Sequence, residues 1–384
     1  MIYLDWNATT PPAPEVLEAI TRASEHAWGN PASVHGAGRA ARKHIEGARE
    51  AVATLLAVDP RDVILTGGGT EANTLALRGV LNEAVLGSAL KPVLITSAIE
   101  HPSILGTAAL LEARGATIVR VPAPEGRVSV DALGAALEEH GVRVRLVSIQ
   151  AVNHETGVLQ PLAEVKRLCD THGVLFHCDA VQYVGRLEAT LLHGIDLVSI
   201  AAHKLRGPKG VGALAMKCGL KLTALFGGGA QERGVRPGTQ DPMACAGFEA
   251  ALRRVPAMRA RYETLPLLRD ALHDGLRRLD AGLACNGEAV PRAPHVLNVS
   301  FGSWRGPELC AALDLEGIAV SSGAACSAGT AEPSPVISHA WGRARATSAV
   351  RISLGETTTA EEIERTLAVF ERVLSRVPAT SPHG

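Results

Sequence analysis

A chain of 384 residues with 46% apolar content can bury a sizeable core, and its length suits a large domain plus a smaller one. Lys and Arg total 38 against 39 Asp and Glu, a net charge of −1, so no bulk field favours nucleic acid or acidic lipid and small-molecule chemistry is the better expectation. Met1-Ile-Tyr-Leu-Asp5 lacks a basic segment before an apolar run, and no stretch of about 18 uninterrupted apolar residues occurs, so the reading is a protein of the cytoplasm with no membrane partner.

In chain order, short β-branched runs alternate with longer helix-like stretches: Val63–Thr66, Val93–Thr96, Thr117–Val121, Val144–Ile149, Val174–His177, Leu197–Ile200 and Val211–Ala215. This rhythm predicts an α/β fold, a mostly parallel seven-stranded sheet covered by helices. The runs are apolar without strict alternation, as strands buried on both faces should be. Ligands of such sheets gather beyond the carboxyl ends of the strands.

The pattern changes near Val255-Pro256. From Tyr262, the residues Leu265, Leu268, Leu272, Leu276 and Leu279 recur at helical spacing and predict one long amphipathic helix. Next come a strand (His295–Phe301), a helix (Pro307–Leu315), a Gly/Ala/Ser-rich loop with a helix restarting at Pro333, a strand (Val350–Leu354) and a last helix. Thr358 or Thr359 caps that helix, whose face carries Ile363, Leu367, Phe370 and Leu374. The expected division is a large domain over 14–255 and a smaller α+β domain formed by 1–13 with 256–384. The seven cysteines are an odd number without close CxxC pairing, which argues against a disulfide framework or a zinc ribbon. Most are expected to be buried thiols, Cys310 among them, and no HxH, HExxH or carboxylate cluster suggests a metal.

Three segments carry chemistry. Thr66-Gly-Gly-Gly-Thr70-Glu-Ala-Asn-Thr74 comes after a strand and opens a helix, so its backbone amides suit an anion, although a bare capped turn reads the same way. His177-Cys-Asp179-Ala-Val-Gln182 ends one strand, and the next strand leads to His203-Lys204. An acid at a strand end can keep a pyridine nitrogen protonated, and a desolvated lysine can form a Schiff base. Singly, Lys204 also suits a solvated loop and Asp179 a helix cap; together at successive strand ends they make the minimum site for pyridoxal 5'-phosphate (PLP). His101, before Pro102 at a strand end, suits a polar loop or a catalytic role.

The ordered motifs Tyr3-Leu-Asp-Trp-Asn-Ala-Thr-Thr10, Gly29-Asn-Pro-Ala-Ser-Val-His35, Gly68-Gly-Thr70-Glu-Ala-Asn73, Glu100-His101, His177–Gln182, His203-Lys204, Arg233-Gly-Val-Arg-Pro-Gly-Thr239, Ser321-Ser-Gly-Ala-Ala-Cys326 and Arg351-Ile-Ser-Leu-Gly355 resemble the cysteine desulfurases of the class V aminotransferase superfamily. The resemblance covers about residues 2 to 370 and implies PLP fold type I. It implies that Lys204 holds PLP, Asp179 pairs with its ring nitrogen, Gln182 bonds the ring hydroxyl and His101 stacks on the ring. Gly69, Thr70, His203 and, from a partner subunit, Thr239 would bind the phosphate, which makes the site depend on a homodimer. Arg351 would clamp the carboxylate of L-cysteine. Cys326, on a loop of small residues with Gly323 and Gly329, would attack the substrate sulfur as a thiolate and carry it as a persulfide to a sulfur-acceptor protein of iron–sulfur assembly or tRNA thiolation.

Two positions depart from the family pattern. His154 stands where an asparagine usually contacts the ring hydroxyl, and Ala201 replaces a serine that usually bonds the phosphate. One lost bond to a charged group is worth roughly 1.5–3 kcal/mol. The alternatives are a selenocysteine lyase, another class V aminotransferase, or a non-catalytic scaffold paralogue.

Overall fold

The computed structural model describes residues 1–87, 91–323 and 332–376. Its strands are β1 (Ile2–Tyr3), β2 (Val63–Thr66), β3 (Val93–Ser97), β4 (Thr117–Val121), β5 (Val144–Gln150), β6 (Leu175–Asp179), β7 (Leu197–Ala201), β8 (Gly212–Met216), β9 (Ala284–Cys285), β10 (Val296–Ser300), β11 (Ile318–Ala319) and β12 (Ala349–Ser353). Seven of them form one sheet in the order β2-β8-β7-β6-β5-β3-β4. Only β8 runs against its neighbours β2 and β7; the other adjacent pairs are parallel. The seven-stranded, mostly parallel sheet inferred from the β-branched runs is therefore present, with bounds shifted by one or two residues.

Side chains alternate across a strand, so one run feeds two cores. Val63, Leu65, Val93 and Ile95 belong to the core that takes in Ile45 and Val52 of helix Gly36–Leu56, Leu133 of helix Val130–His140 and Phe248 of helix Pro242–Arg253, whereas Ile64 and Leu94 pack with Leu75 and Leu77 of helix Gly69–Gly87 and Ile104 of helix Pro102–Ala113. Burial on both faces explains why these runs read as continuously apolar. The register sets Gln150 of β5 opposite Asp179 of β6, and Ala201 at the end of β7 opposite Gly212 of β8. The carboxyl ends of the central strands thus form one rim.

Near the C-terminus, β9, β10 and β12 make a three-stranded antiparallel sheet, and β1 adds in parallel to β11. The helices Leu265–Leu279 and Ala360–Leu374 cross so closely that a Cβ on Gly275 would lie 2.4 Å from Leu367. Of the two threonines expected to cap the last helix, Thr359 does so, in a reciprocal box with Glu362.

Three expectations need correction. The helix from Tyr262 is two helices, Val255–Tyr262 and Leu265–Leu279, separated at Glu263-Thr264. Tyr262 and Leu265 are both buried, so the apolar period runs through the break. The helix expected to restart at Pro333 begins at Pro335, because the Ser334 hydroxyl caps the Ile337 amide at 3.1 Å. Cys310 is half-buried rather than core, while Cys169, Cys178, Cys245 and Cys285 are buried and Cys218 is exposed. Among the described residues no helix is long and apolar enough to cross a membrane.

Candidate active site

The rim borders a cavity of about 280 Å³ lined by Gly69, Thr70, His101, His154, Asp179, Gln182, His203, Lys204 and Arg351, and also by Asn7, Ala8, Asn73, Ser103 and Ala201. Nine sequence-selected residues, drawn from positions 69 to 351, thus meet in one place. Thr239 does not: it is exposed and borders no part of this cavity. Cys326 lies outside the described residues.

Lys204 ends a single helical turn after β7, and its Nζ donates to the carbonyls of Asn7 and, at 2.8 Å, Ala8. Burial, then the positive charges of Arg186 and Arg351, bring its proton affinity down to about 7 from 10.5, against the pull of Asp5 and Asp179. The amine is therefore available in its neutral form near neutrality, as a Schiff-base lysine requires.

Asp179 stands at the end of β6. Its Oδ2 accepts from Asn73 Nδ2 at 2.7 Å and its Oδ1 from the Val181 amide at 3.0 Å, which is the cap-like turn its sequence allows. Among the described residues no cation forms an ion pair with it, so its charge is left for a group in the cavity. Asn73 is itself held by Ser103 Oγ at 2.9 Å, while its own Oδ1 is buried without a partner.

His101 caps the helix Pro102–Ala113 with Nδ1, which accepts the Ser103 amide at 3.1 Å, and it borders the cavity with the rest of its ring. The structural and the catalytic readings of this histidine therefore coexist. Burial lowers its proton affinity; Asp179 opposes that and Lys204 adds to it. His203 donates to or accepts from the Thr9 hydroxyl at 3.1 Å, and burial followed by the Lys204 charge lowers it to about 3. Gln182 gives one amide proton to the Asn7 carbonyl at 3.0 Å, which leaves its second free.

The anion cradle lies at the start of helix Gly69–Gly87. Gly68 adopts φ 140°, and a Cβ on Gly69 would sit 2.8 Å from Val181 Cγ2, so both positions need glycine. Gly69 and Thr70, the first residues of that helix, line the cavity beside His203, and the first amides of a helix lack partners within it. Arg351 sends Nη1 to the His154 carbonyl at 2.9 Å and Nη2 to Asp5 Oδ1 at 2.7 Å, while its buried Nε has no partner.

His154, the departure from the family pattern, is buried with its ring edge-on to His101 at 5.1 Å between centroids, and its Nδ1 lies 3.4 Å from Gln150 Oε1. Burial first, then the His101 charge, holds its proton affinity well below 6.5. A lowered folded-state value means that the unfolded chain binds the extra proton, so the associated stability is complete above pH 6.5 and is lost as pH falls below it. His154→Asn should therefore flatten the fall of melting temperature on acidification below pH 6.5. Thermal melts of the two proteins across that range check this; parallel curves would mean that position 154 carries no such burden.

A separate cluster lies elsewhere: His273, Cys285 and Glu288 place ligand-type atoms within 4.8 Å of one another. Arg277 already binds the Glu288 carboxylate at 2.6 Å and Arg292 the Cys285 sulfur at 3.0 Å, so its charge is balanced within the chain.

Several site residues carried no assigned role in the sequence. Asn7 and Ala8 act through carbonyls, which any residue type supplies. Asp5 and Asn73 lie within quoted motifs and became informative only once their partners were adjacent. Arg186, buried to 1% exposure, had no signal at all.

A lysine amine with reduced proton affinity, a carboxylate free of cations, an amide-lined glycine cradle and unpartnered polar atoms on Asn73 and Arg351 fit a PLP-type cofactor and an amino-acid carboxylate. The arrangement on a mostly parallel sheet defines the class of PLP fold type I enzymes. The model of the aminotransferase class-V family matches residues 2–366. Cysteine desulfurase IscS of Dictyoglomus turgidum is 37% identical over 386 residues, covering 100% of this chain and 96% of its own. Among solved structures, a NifS-like protein superposes with TM-score 0.87 at 33% identity, covering 97% of this chain and 99% of its own. SspA in complex with cysteine gives TM-score 0.78 at 28% identity, covering 94% and 100%. The chain belongs to the class V aminotransferase family and, within it, to the PLP-dependent cysteine desulfurases.

Proposed function

We propose that the chain moves sulfur from L-cysteine to Cys326, leaving alanine, and hands the resulting persulfide to an acceptor protein of iron–sulfur assembly or tRNA thiolation. The observation that carries this reading is the convergence of Lys204, Asp179 and Arg351 on one cavity. A second relative solved with cysteine bound, SspA, supports the same substrate.

PLP, when bound, supplies an electron sink for charge developing at the substrate Cα. Lys204 would hold it and Asp179 would keep its ring nitrogen protonated; Gln182, His154 and His101 would bind the ring, and Gly69, Thr70 and His203 would bind the phosphate. Thr239 of a second copy completes the phosphate site in a homodimer of cytoplasmic enzymes. The large unit spans 14–255, and 1–13 with 256–384 makes the smaller one.

Arg351 orients the substrate by offering Nε to its carboxylate while Asp5 and the His154 carbonyl fix the other two nitrogens. Lys204, with a proton affinity near neutrality, takes the Cα proton and returns it. The Cys326 thiolate attacks the substrate sulfur: an S–S bond forms, the C–S bond breaks, and the electron pair left on carbon is protonated on the way to alanine. Ser321, five positions before Cys326, pairs with Arg351 through both backbone bonds, at 3.1 and 2.6 Å.

Cys326→Ser should keep the yellow cofactor and release no sulfide from L-cysteine. In the parent, the Cys326 peptide should gain about 32 Da, one sulfur atom, after incubation with the substrate. Sulfide release at the parent rate by the serine variant would remove Cys326 from this role, and turnover of pyruvate or glutamate by that variant would favour an aminotransferase.

A further inference from the structure

Arg186 and Arg351 are the largest fully buried side chains of the described residues, and Arg186 stands outside the cavity lining. Its Nη1 donates to the Gln182 carbonyl at 3.1 Å and to the Gln182 side-chain oxygen, and its Nη2 reaches toward the Trp6 carbonyl at 3.5 Å. The guanidinium carbon lies 5.9 Å from the ring centroid of Tyr262, and Nε has no partner. Among the described residues no carboxylate pairs with it. A buried cation held only by neutral acceptors is expensive, by several kcal/mol.

Two of this cation's three contacts, on the Gln182 side chain and the Trp6 carbonyl, lead to the segment beneath the lysine. Gln182 passes it on, donating Nε2 to the Asn7 carbonyl, and that same carbonyl, with its neighbour on Ala8, receives Lys204 Nζ. We propose that Arg186 is a positioning residue for Lys204: through Gln182 and the Trp6 carbonyl it fixes the ledge of backbone oxygens on which the amine rests, and it keeps an unneutralised positive charge behind that ledge. This rests on Lys204 being the cofactor lysine.

The charged and titratable groups around the amine are Arg186, Arg351, Asp5, Asp179, His101, His154 and His203; Tyr262 and His295 border Arg186 itself. Burial contributes most to the lowered affinity of Lys204, and Arg186 is the first of its charged neighbours. Like charge disfavours an ammonium, so a neutral residue at 186 raises that affinity, whereas a structural filler would leave it where it is.

The test uses the full chain freed of cofactor. PLP is added, and the growth of yellow colour is followed across pH, since only the uncharged amine condenses. Borohydride reduction and peptide mass spectrometry identify the lysine that reacts. The parent's rate should have its midpoint near 7. Arg186→Met should raise that midpoint by about one pH unit, slowing uptake at neutral pH about fivefold, and Arg186→Lys should restore most of the difference. Arg186→Gln, which keeps a polar side chain beside the Gln182 carbonyl without the charge, should raise the midpoint in the same direction. An unmoved midpoint in folded Arg186→Met or Arg186→Gln, or an equal shift in Arg186→Lys, overturns the role of Arg186. Failure of the parent itself to react at Lys204 would instead overturn the assignment of the cofactor lysine.

Discussion

Alanine at position 204 should leave a protein that releases no measurable sulfide from L-cysteine, a loss on the order of 10³-fold or more, because the anchoring amine and the base for the Cα proton vanish together. PLP added to this variant should wash out under conditions in which the parent stays yellow. The same lysine burdens the fold. Its folded-state affinity, about 7, lies below the ordinary 10.5, so within that window the unfolded chain holds a proton that the native one lacks. Stability of the cofactor-free chain therefore climbs as pH rises from 7 to 10.5, and the full penalty applies below 7. Lys204→Met should make the cofactor-free protein more stable at neutral pH by a few kcal/mol, on the order of 3, with the advantage fading above the window. Melting curves of both proteins at the two ends of that range decide it. An unchanged difference between them would mean that the amine is not held in the low-affinity state.

Arg351→Met should lower kcat/KM for L-cysteine by about 10²- to 10³-fold, chiefly through KM. The guanidinium has two nitrogens fixed, on Asp5 and on the His154 carbonyl, and keeps the buried Nε unsatisfied. A substrate carboxylate would satisfy that donor, and methionine offers nothing in its place. Lysine should recover little, because a single ammonium cannot hold Asp5, the carbonyl and a carboxylate in one plane. Steady-state kinetics with a parallel melt separate the outcomes. A loss confined to kcat at unchanged KM would contradict substrate clamping.

The parts of the fold that are legible in the sequence are those written in side-chain pattern. Doubly buried strands announce themselves as β-branched runs, and the residues just past the end of each run must sit at the rim, so Asp179 and Lys204 can be placed together from sequence alone. Other parts leave no such trace. The ledge beneath Lys204 is made of the Asn7 and Ala8 carbonyls, and a carbonyl carries no residue identity. Arginines are expected at surfaces, so nothing marks Arg186 as interior. The break at Glu263-Thr264 is invisible because the residues on either side keep the apolar period, and a hydroxyl at Ser334 outranks the proline before it as a helix start. Asp5 and Arg351 stand 346 positions apart and pair at 2.7 Å, a contact that no local spacing encodes.

The segment bearing Asn7 and Ala8 is pinned at both of its ends by distant parts of the chain. Thr10 gives its hydroxyl proton to the His203 carbonyl, 193 positions away, while Asp5 takes Arg351, 346 positions away, and β1 joins β11. Closing such long spans costs little more entropy than closing short ones, about 0.6 kcal/mol for each doubling. Slack at either anchor is therefore felt at the two carbonyls between them, and so at the amine that they seat.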